Sequence, residues 1–322
     1  MLKRENIHRA LLEAIEKKIP EKTNLVELLM ELLSMEKGAV YRRLRGEVPF
    51  TFFEVANIAE RLDISLSNLI SANSVHVDHF ELSIIEYANM SDFDYQQWED
   101  YLALIGSAKD DPHSEIAESS NVLPLSVYAG FDSLSKFFLF KYQYLFGGIE
   151  HRISFDNLVF PERLNRIFRT YFNVSRNIAK SIYIWDHLIF RYLVNDIRYF
   201  SGINLISKDN VRQIRNDLLA LLDYIEEIAL KGCFEETGNP VSFYISDINL
   251  DADYSYVQFN DMRIGHVRTF ILNSVASTDH LSFQKIKDWI QSLTKSSILI
   301  TQSGAVHRAD FFDKQRMMVS EL

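Results

Sequence analysis

The chain holds one cysteine, Cys233, in 322 residues, with only 11 glycines and 6 prolines. A lone thiol excludes an intramolecular disulfide and a cysteine-based zinc cluster, and it fits a reducing compartment, with the cytoplasm as the expected location. So little Gly and Pro beside 47% hydrophobic residues excludes disordered and fibrous classes and describes a packed globular protein. Long apolar runs are missing as well. The most apolar later stretch, "SIYIWDHLIFRYLV" from Ser181 to Val194, is shorter than a membrane span and carries Asp186, His187 and Arg191, so a buried helix is expected there. The opening "MLKRENIHRALLEAIEKKIP" has no uninterrupted apolar core of signal-peptide length, and export is not expected.

Catalytic signatures are equally scarce. There is no P-loop and no G-x-G-x-x-G, and Ser303 and His307 lack a G-x-S-x-G elbow and an assigned acid partner. No enzyme activity, cofactor or metal is expected. "HVDH", His76 to His79, offers two imidazoles and a carboxylate, but at a point that reads as a hinge. "DINLDADYS" alternates Asp247, Asn249, Asp251 and Asp253 like the start of a calcium loop, yet Ala252 stands where the sharp turn needs Gly and Gln258 where a bidentate Glu belongs. A solvated turn is the expectation.

A positive excess is also lacking: the net charge is -10. Its distribution matters more than its sum. Met1 to Ala72 carry 11 Lys+Arg and 11 Asp+Glu, and the remainder carries 23 against 33, so the acidity belongs to the later part of the chain. Within the neutral part Lys37, Arg42, Arg43 and Arg45 cluster in nine residues, a local patch that suits a polyanion.

Helical periodicity dominates the first 70 residues. Ile7, Leu11, Leu12 and Ile15 mark one helix closed by Pro20, and Thr23 or Asn24 can cap a second with Leu25, Leu28, Leu29, Leu32 and Leu33 as its stripe. A third runs from about Lys37 to Arg45 and stops at Gly46. Phe53, Ala56, Ile58, Ala59 and Leu62 give a fourth, and Ser65 caps a short fifth through Leu69. Across the turn Ser34-Met35-Glu36, Val40 and Leu44 at i,i+4 face inward. At about 100 degrees per residue, Lys37, Tyr41 and Arg42 then point away from the core, with Arg43 and Arg45 toward its flanks.

From Asn24 to Ile70, through the leucines, the turn, "AVYRRLRG" and "IAERLDISLSNLI", the segment resembles the lambda-repressor and Cro-like, or Xre-type, helix-turn-helix family. The resemblance implies a DNA-binding domain whose second motif helix enters the major groove of double-stranded DNA. Carried over by position, it implies base contacts at Lys37, Gly38, Tyr41 and Arg42, and phosphate contacts at Asn24, Arg43, Arg45 and the backbone of Gly46. Two positions depart from the pattern: Met30 replaces a small residue and Ser34 replaces the turn glycine, where positive φ costs a side chain roughly 1 kcal/mol.

Ser71 to Val75 reads as a hinge into a second domain. Helices are expected near Asp94–Lys109, Asp132–Phe146, Pro161–Ile178, Ile184–Phe200 and Lys208–Leu230. "VSFYISDI", "YSYVQF" and "IGHVRTFIL" then read as antiparallel strands, followed by a helix over Ser282–Leu293, a strand "SILIT" and a final helix from Val306. The aromatic run Lys136 to Phe146 reads as core, or as the wall of a ligand pocket. "HRADFFDKQR", His307 to Arg316, reads as an amphipathic helix docking on the small sheet or on another subunit.

The expected fold class is therefore mainly α. A five-helix lambda-repressor-like domain (1–75) precedes a larger α+β domain (76–322), helical over 76–232 and α+β over 233–322, with a small antiparallel sheet. The expected function is a DNA-binding transcriptional regulator, a homodimer whose second domain dimerises or senses a small-molecule or protein effector. Two readings stay beside it: a helix-turn-helix used as a protein-interaction module, and an enzyme domain regulated by the N-terminal one.

Overall fold

The structure is a computed structural model, and it describes residues 4–19, 22–62, 64, 66, 80–148 and 153–322, without the side chains at 4–7, 17, 22–24 and 83. The chain divides into two compact units, Met1–His79 and Phe80–Leu322. The hinge expected at Ser71–Val75 and the "HVDH" string fall outside the described residues.

The first unit contains α1 (Arg4–Lys18), α2 (Lys22–Leu33), α3 (Lys37–Leu44) and α4 (Phe52–Arg61). Leu11 and Ile15 from α1, Leu25, Val26 and Leu29 from α2, Val40 from α3 and Ile58 from α4 form one small core. These positions follow the 3.6-residue period, which leaves one stripe of each helix to be buried. Four helices are described here rather than the expected five, because most of Ser65 to Leu69 lies outside the described residues.

Two helix ends set the geometry of the pair α2 and α3. Ser34 adopts φ 51°, and its N–H and that of Met35 donate to the carbonyls of Glu31 and Met30, which ends α2 in a left-handed turn. Gly46 does the same for α3 at φ 77°: its N–H donates to Arg43 O and that of Glu47 to Arg42 O, each at 2.9 Å. At the start of α4, Thr51 and Glu54 form a reciprocal capping box.

The second unit corrects the expected fold class. Its strands are β1 (Glu81–Ser83), β2 (Glu115–Ser120), β3 (Lys180–Asp186), β4 (Val241–Ser246), β5 (Tyr254–Phe259), β6 (Met262–Thr269), β7 (Asn273–Ser277) and β8 (Ser297–Leu299). They make one eight-stranded mixed sheet in the order β1-β7-β6-β5-β2-β3-β4-β8. The β2–β3 and β3–β4 pairs are parallel. The sheet is thus neither small, nor antiparallel throughout, nor confined to residues after 232.

Helices α5 (Asp92–Gly106), α6 (Leu125–Tyr128), α7 (Asp132–Phe146), α8 (Glu162–Ser175), α9 (Ile189–Gly202), α10 (Lys208–Lys231), α11 (His280–Leu293) and α12 (Ala305–Val319) cover it. Parallel neighbours need helical crossovers, so both faces are packed: Tyr183, Trp185 and Phe243 join the main core, while Ala117 and Ile184 meet Phe283, Ile286 and Ile290 of α11. Burial on both faces is the reason β2 and β3 show no two-residue alternation. Ser181–Val194, expected to be one buried helix, is strand β3 followed by the start of α9. The run Lys136–Phe146 is core on α7, with Phe137, Phe138, Phe140 and Tyr142 buried. Phe311 and Phe312 of α12 lie in the main core, where α12 packs chiefly against α9 and α10.

Candidate nucleic-acid interface

Helix α3 hangs on one side chain, Val40, which is fully buried, with Leu44 partly buried a turn later. Lys37, Gly38, Tyr41 and Arg42 follow on the other side and are exposed, Tyr41 at 41%. A Cβ built on Gly38 would meet nothing within 4 Å, so the first turn of α3 presents bare backbone. The four positions implied as base contacts therefore share one solvent-facing surface. Asn24 lies in α2, and its side chain is outside the described residues.

The three arginines of this helix end have three different settings. Arg43, implied as a phosphate contact, turns inward instead: its Nε and Nη2 donate to the two carboxylate oxygens of Glu54 at 3.0 and 2.8 Å. Both side chains are mostly buried, at 16% and 10% exposure. The same Glu54 accepts from the Thr51 N–H at 2.8 Å, so one carboxylate fastens α3 and caps α4. Burial pushes the Glu54 carboxyl up, but the Arg43 fork and the Thr51 N–H outweigh it and leave the group below its ordinary pKa.

Arg45 and Arg42 are exposed and share Glu47. Arg45 Nε donates to Glu47 Oε1 at 2.7 Å, and Arg42 Nε stands 3.8 Å from Oε2. The Arg45 guanidinium holds the Glu47 carboxyl below the usual range. An anionic ligand approaching Arg45 competes with a carboxylate already seated there. From α1, His8 bonds the Arg43 carbonyl at 3.0 Å and stacks on Phe50, bracing the end of α3 beside Gly46.

Sequence reasoning missed Glu47 and Glu54 as partners of these arginines. The spacing Thr51-x-x-Glu54 is legible as a capping box. That Arg43 would reach the same carboxylate is not, because the contact depends on how the chain returns after Gly46. Phe53, expected among the apolar residues of the fourth helix, stands 73% exposed at its start, with Phe52 beside it 82% exposed.

The weaker candidates do not assemble. Asp253 is held by Arg268 and by the Asn121 N–H, while Asp247, Asn249 and Asp251 are exposed. Among the described residues there is no group of three or more His, Cys, Asp or Glu placed to hold a metal ion. Among them, too, no helix is long and apolar enough to cross a membrane.

A helix pair across a tight turn, with an exposed cationic face on the second helix, is the arrangement by which proteins dock in the major groove. Residues 5–98 match the model of the BetR domain family. That is a DNA-binding domain of the helix-turn-helix type, and the match supports a helix-turn-helix N-terminal region with a DNA-binding regulatory role. It runs past the first unit, through β1 and into α5 as far as Trp98. No curated protein and no solved structure matches the chain.

Proposed function

We propose that the chain is a sequence-specific, non-enzymatic transcriptional regulator that reads double-stranded DNA through α3. The observation that carries this reading is the division of α3 into a buried Val40 side and an exposed side bearing Lys37, Gly38, Tyr41 and Arg42. Lys37 and Arg42 offer donors to base edges, Tyr41 offers a ring and a hydroxyl, and Arg45 is the phosphate contact once released from Glu47. The likeness to the Xre type rests on the residues themselves, with Ser34 at positive φ where that pattern has glycine. The molecule works as a homodimer, and the second unit carries dimerisation, effector sensing or both.

Selection of bound sequences from a random DNA pool by the full-length chain tests the proposal. A recovered motif that Arg42→Ala relaxes at one position is the expected result. No enrichment at low salt removes the proposal. A second reading draws on Phe52 and Phe53: exposed rings beside α3 suit a protein partner, because large apolar side chains gain most when desolvated. Under that reading a partner would bind with little salt dependence, and Phe52→Ser with Phe53→Ser would abolish it.

A further inference from the structure

The second unit contains a cavity of about 530 Å³ that the helix-turn-helix does not use. It lies over β2, β6 and β7 on the face roofed by α5, and Trp98, Tyr101, Tyr128 and Tyr171 line it. Trp98 stands edge-on to Tyr101 and Tyr171 at 6.0 Å each, so α5 and α8 contribute to one aromatic cluster. Its charges are mainly acidic: Glu118 and Asp253 inside, Glu81 and Asp100 at the exposed rim, against Arg268.

Of its buried polar groups, one has no hydrogen-bond partner among the described residues and one carboxyl has a single neutral partner. Arg268 is engaged by Asp253 at 3.3 Å and by the carbonyls of Ile271 and Leu123 at 2.8 and 3.1 Å. Glu118, 6% exposed, accepts from the Ser126 hydroxyl at 2.9 Å, and among the described residues it has no ion pair. The Tyr128 hydroxyl is buried with no hydrogen-bond partner among the described residues. A hydrophobic filling would leave the Tyr128 hydroxyl without a partner and a charged Glu118 with the Ser126 hydroxyl alone, and a carboxylate ligand would meet like charge. An ammonium group answers both, through N–H donors for the oxygens and charge for the ring faces.

We propose that this cavity binds a small organic ammonium ion, a primary amine on an apolar or aromatic body, whose N–H groups bond Glu118 and the Tyr128 hydroxyl. Burial pushes the Glu118 carboxyl up to about 7, so the bound cation displaces its proton. Of the other groups facing the cavity, His266 is pushed down to about 4 by burial and stays neutral, burial raises Asp253 against the pull of Arg268, and Tyr87, Tyr101, Tyr128 and Tyr171 are held protonated by burial. Binding therefore tightens as Glu118 ionises.

The site stands without the DNA reading. The test is isothermal titration of the full-length chain with phenethylamine, against 3-phenylpropanoate and 3-phenylpropanamide. Expected are one saturable amine site per chain and a preference over both controls of at least about tenfold. The affinity should rise from about pH 6 to about pH 8 in the native chain and stay flat in Glu118→Gln, which binds at least about tenfold more weakly. Tyr128→Phe, which removes one oxygen and keeps the ring, should weaken binding severalfold and serves if Glu118→Gln fails to fold. No saturable response by about 10 mM, equal binding of the phenylpropanoate, or an affinity indifferent to both substitutions would overturn the proposal. Amine binding in a chain that selects no DNA would sink the regulator reading and leave this site intact.

Discussion

Arg42, Arg43 and Arg45 have the same side chain and different duties, and the carboxylate each one meets separates them. Arg43 and Glu54 are a mostly buried, bidentate pair, so removing one partner strands the other. Arg43→Ala is expected to destabilise the first unit by about 2–4 kcal/mol, seen as faster hydrogen exchange along α3 and α4. Because the Glu54 carboxyl is depressed in the folded state, the stability it lends is complete above its ordinary pKa of 4.5 and is lost as pH falls through the lower folded value. Exchange in α3 should therefore accelerate on acidification below that value, and the effect should be absent in Glu54→Gln. Arg42 and Arg45 are exposed, and their substitutions should leave folding alone. Arg42→Ala is expected to lose about 1–3 kcal/mol per half-site and relax one base position, whereas Arg45→Ala weakens all sequences alike and lowers the salt slope by about 1 per half-site. Glu47→Gln should act oppositely to Arg45→Ala, tightening all sequences about 3–10-fold at low salt by releasing the guanidinium. Anisotropy titrations on a selected and a scrambled duplex over a salt series measure all three. Identical behaviour of Arg42→Ala and Arg45→Ala would remove α3 as the reading element.

At the scale of elements, the turn between α2 and α3 is the place where local preference and structure disagree. Ser34 holds φ 51°, a conformation that costs a Cβ-bearing residue about 1–2 kcal/mol, and part of that gain is offset in a glycine variant by the greater freedom of its unfolded chain. Ser34→Gly should stabilise the pair by about 0.5–1 kcal/mol, and Ser34→Val should destabilise it, read again by exchange at the end of α2. A glycine variant that exchanges faster would mean that the serine side chain holds the turn. The helices themselves were legible. Lys208–Leu230 is α10 to within one residue, because it buries a single stripe from Val211 to Ala229, and Asp132–Phe146 is α7 although Phe137 to Phe140 are buried on every side. Strands β2 and β3 were not legible. "EIAESS" is buried along its whole length although four of its six residues are polar, and "SIYIWD" is apolar on both faces, so neither shows the alternation that marks a half-exposed strand.

For the whole molecule, charge and reading length argue for assembly. One helix-turn-helix reads only a few base pairs, and useful selectivity comes from two half-sites about one helical turn apart. The full-length chain is expected to be a dimer by light scattering at micromolar concentration and to protect a site with two-fold symmetry. A monomer in solution that is still monomeric on DNA would contradict this. The acidic excess lies after residue 72, so the second unit repels a polyanion and leaves the first to approach it.

What the sequence determined by itself is what short-range periodicity encodes: four helices of the first unit, Val40 and Leu44 turned inward, Gly46 ending α3, and Lys37, Tyr41 and Arg42 on the open side. These follow from the pitch of a helix and from one local glycine, and they need no distant partner. Tertiary structure alone decided the rest. Arg43 faces Glu54 because α4 folds back across eleven residues, and Glu47 restrains Arg45 because the turn at Gly46 aims it there. The eight-stranded sheet, and the aromatic and acidic cavity over it, gather residues from Glu81 to Ala276. The strands β4, β5, β6 and β8 are legible one by one, but their order in the sheet leaves no period in the chain, and in β2 and β3 burial on both faces erases the alternation by which a strand is recognised.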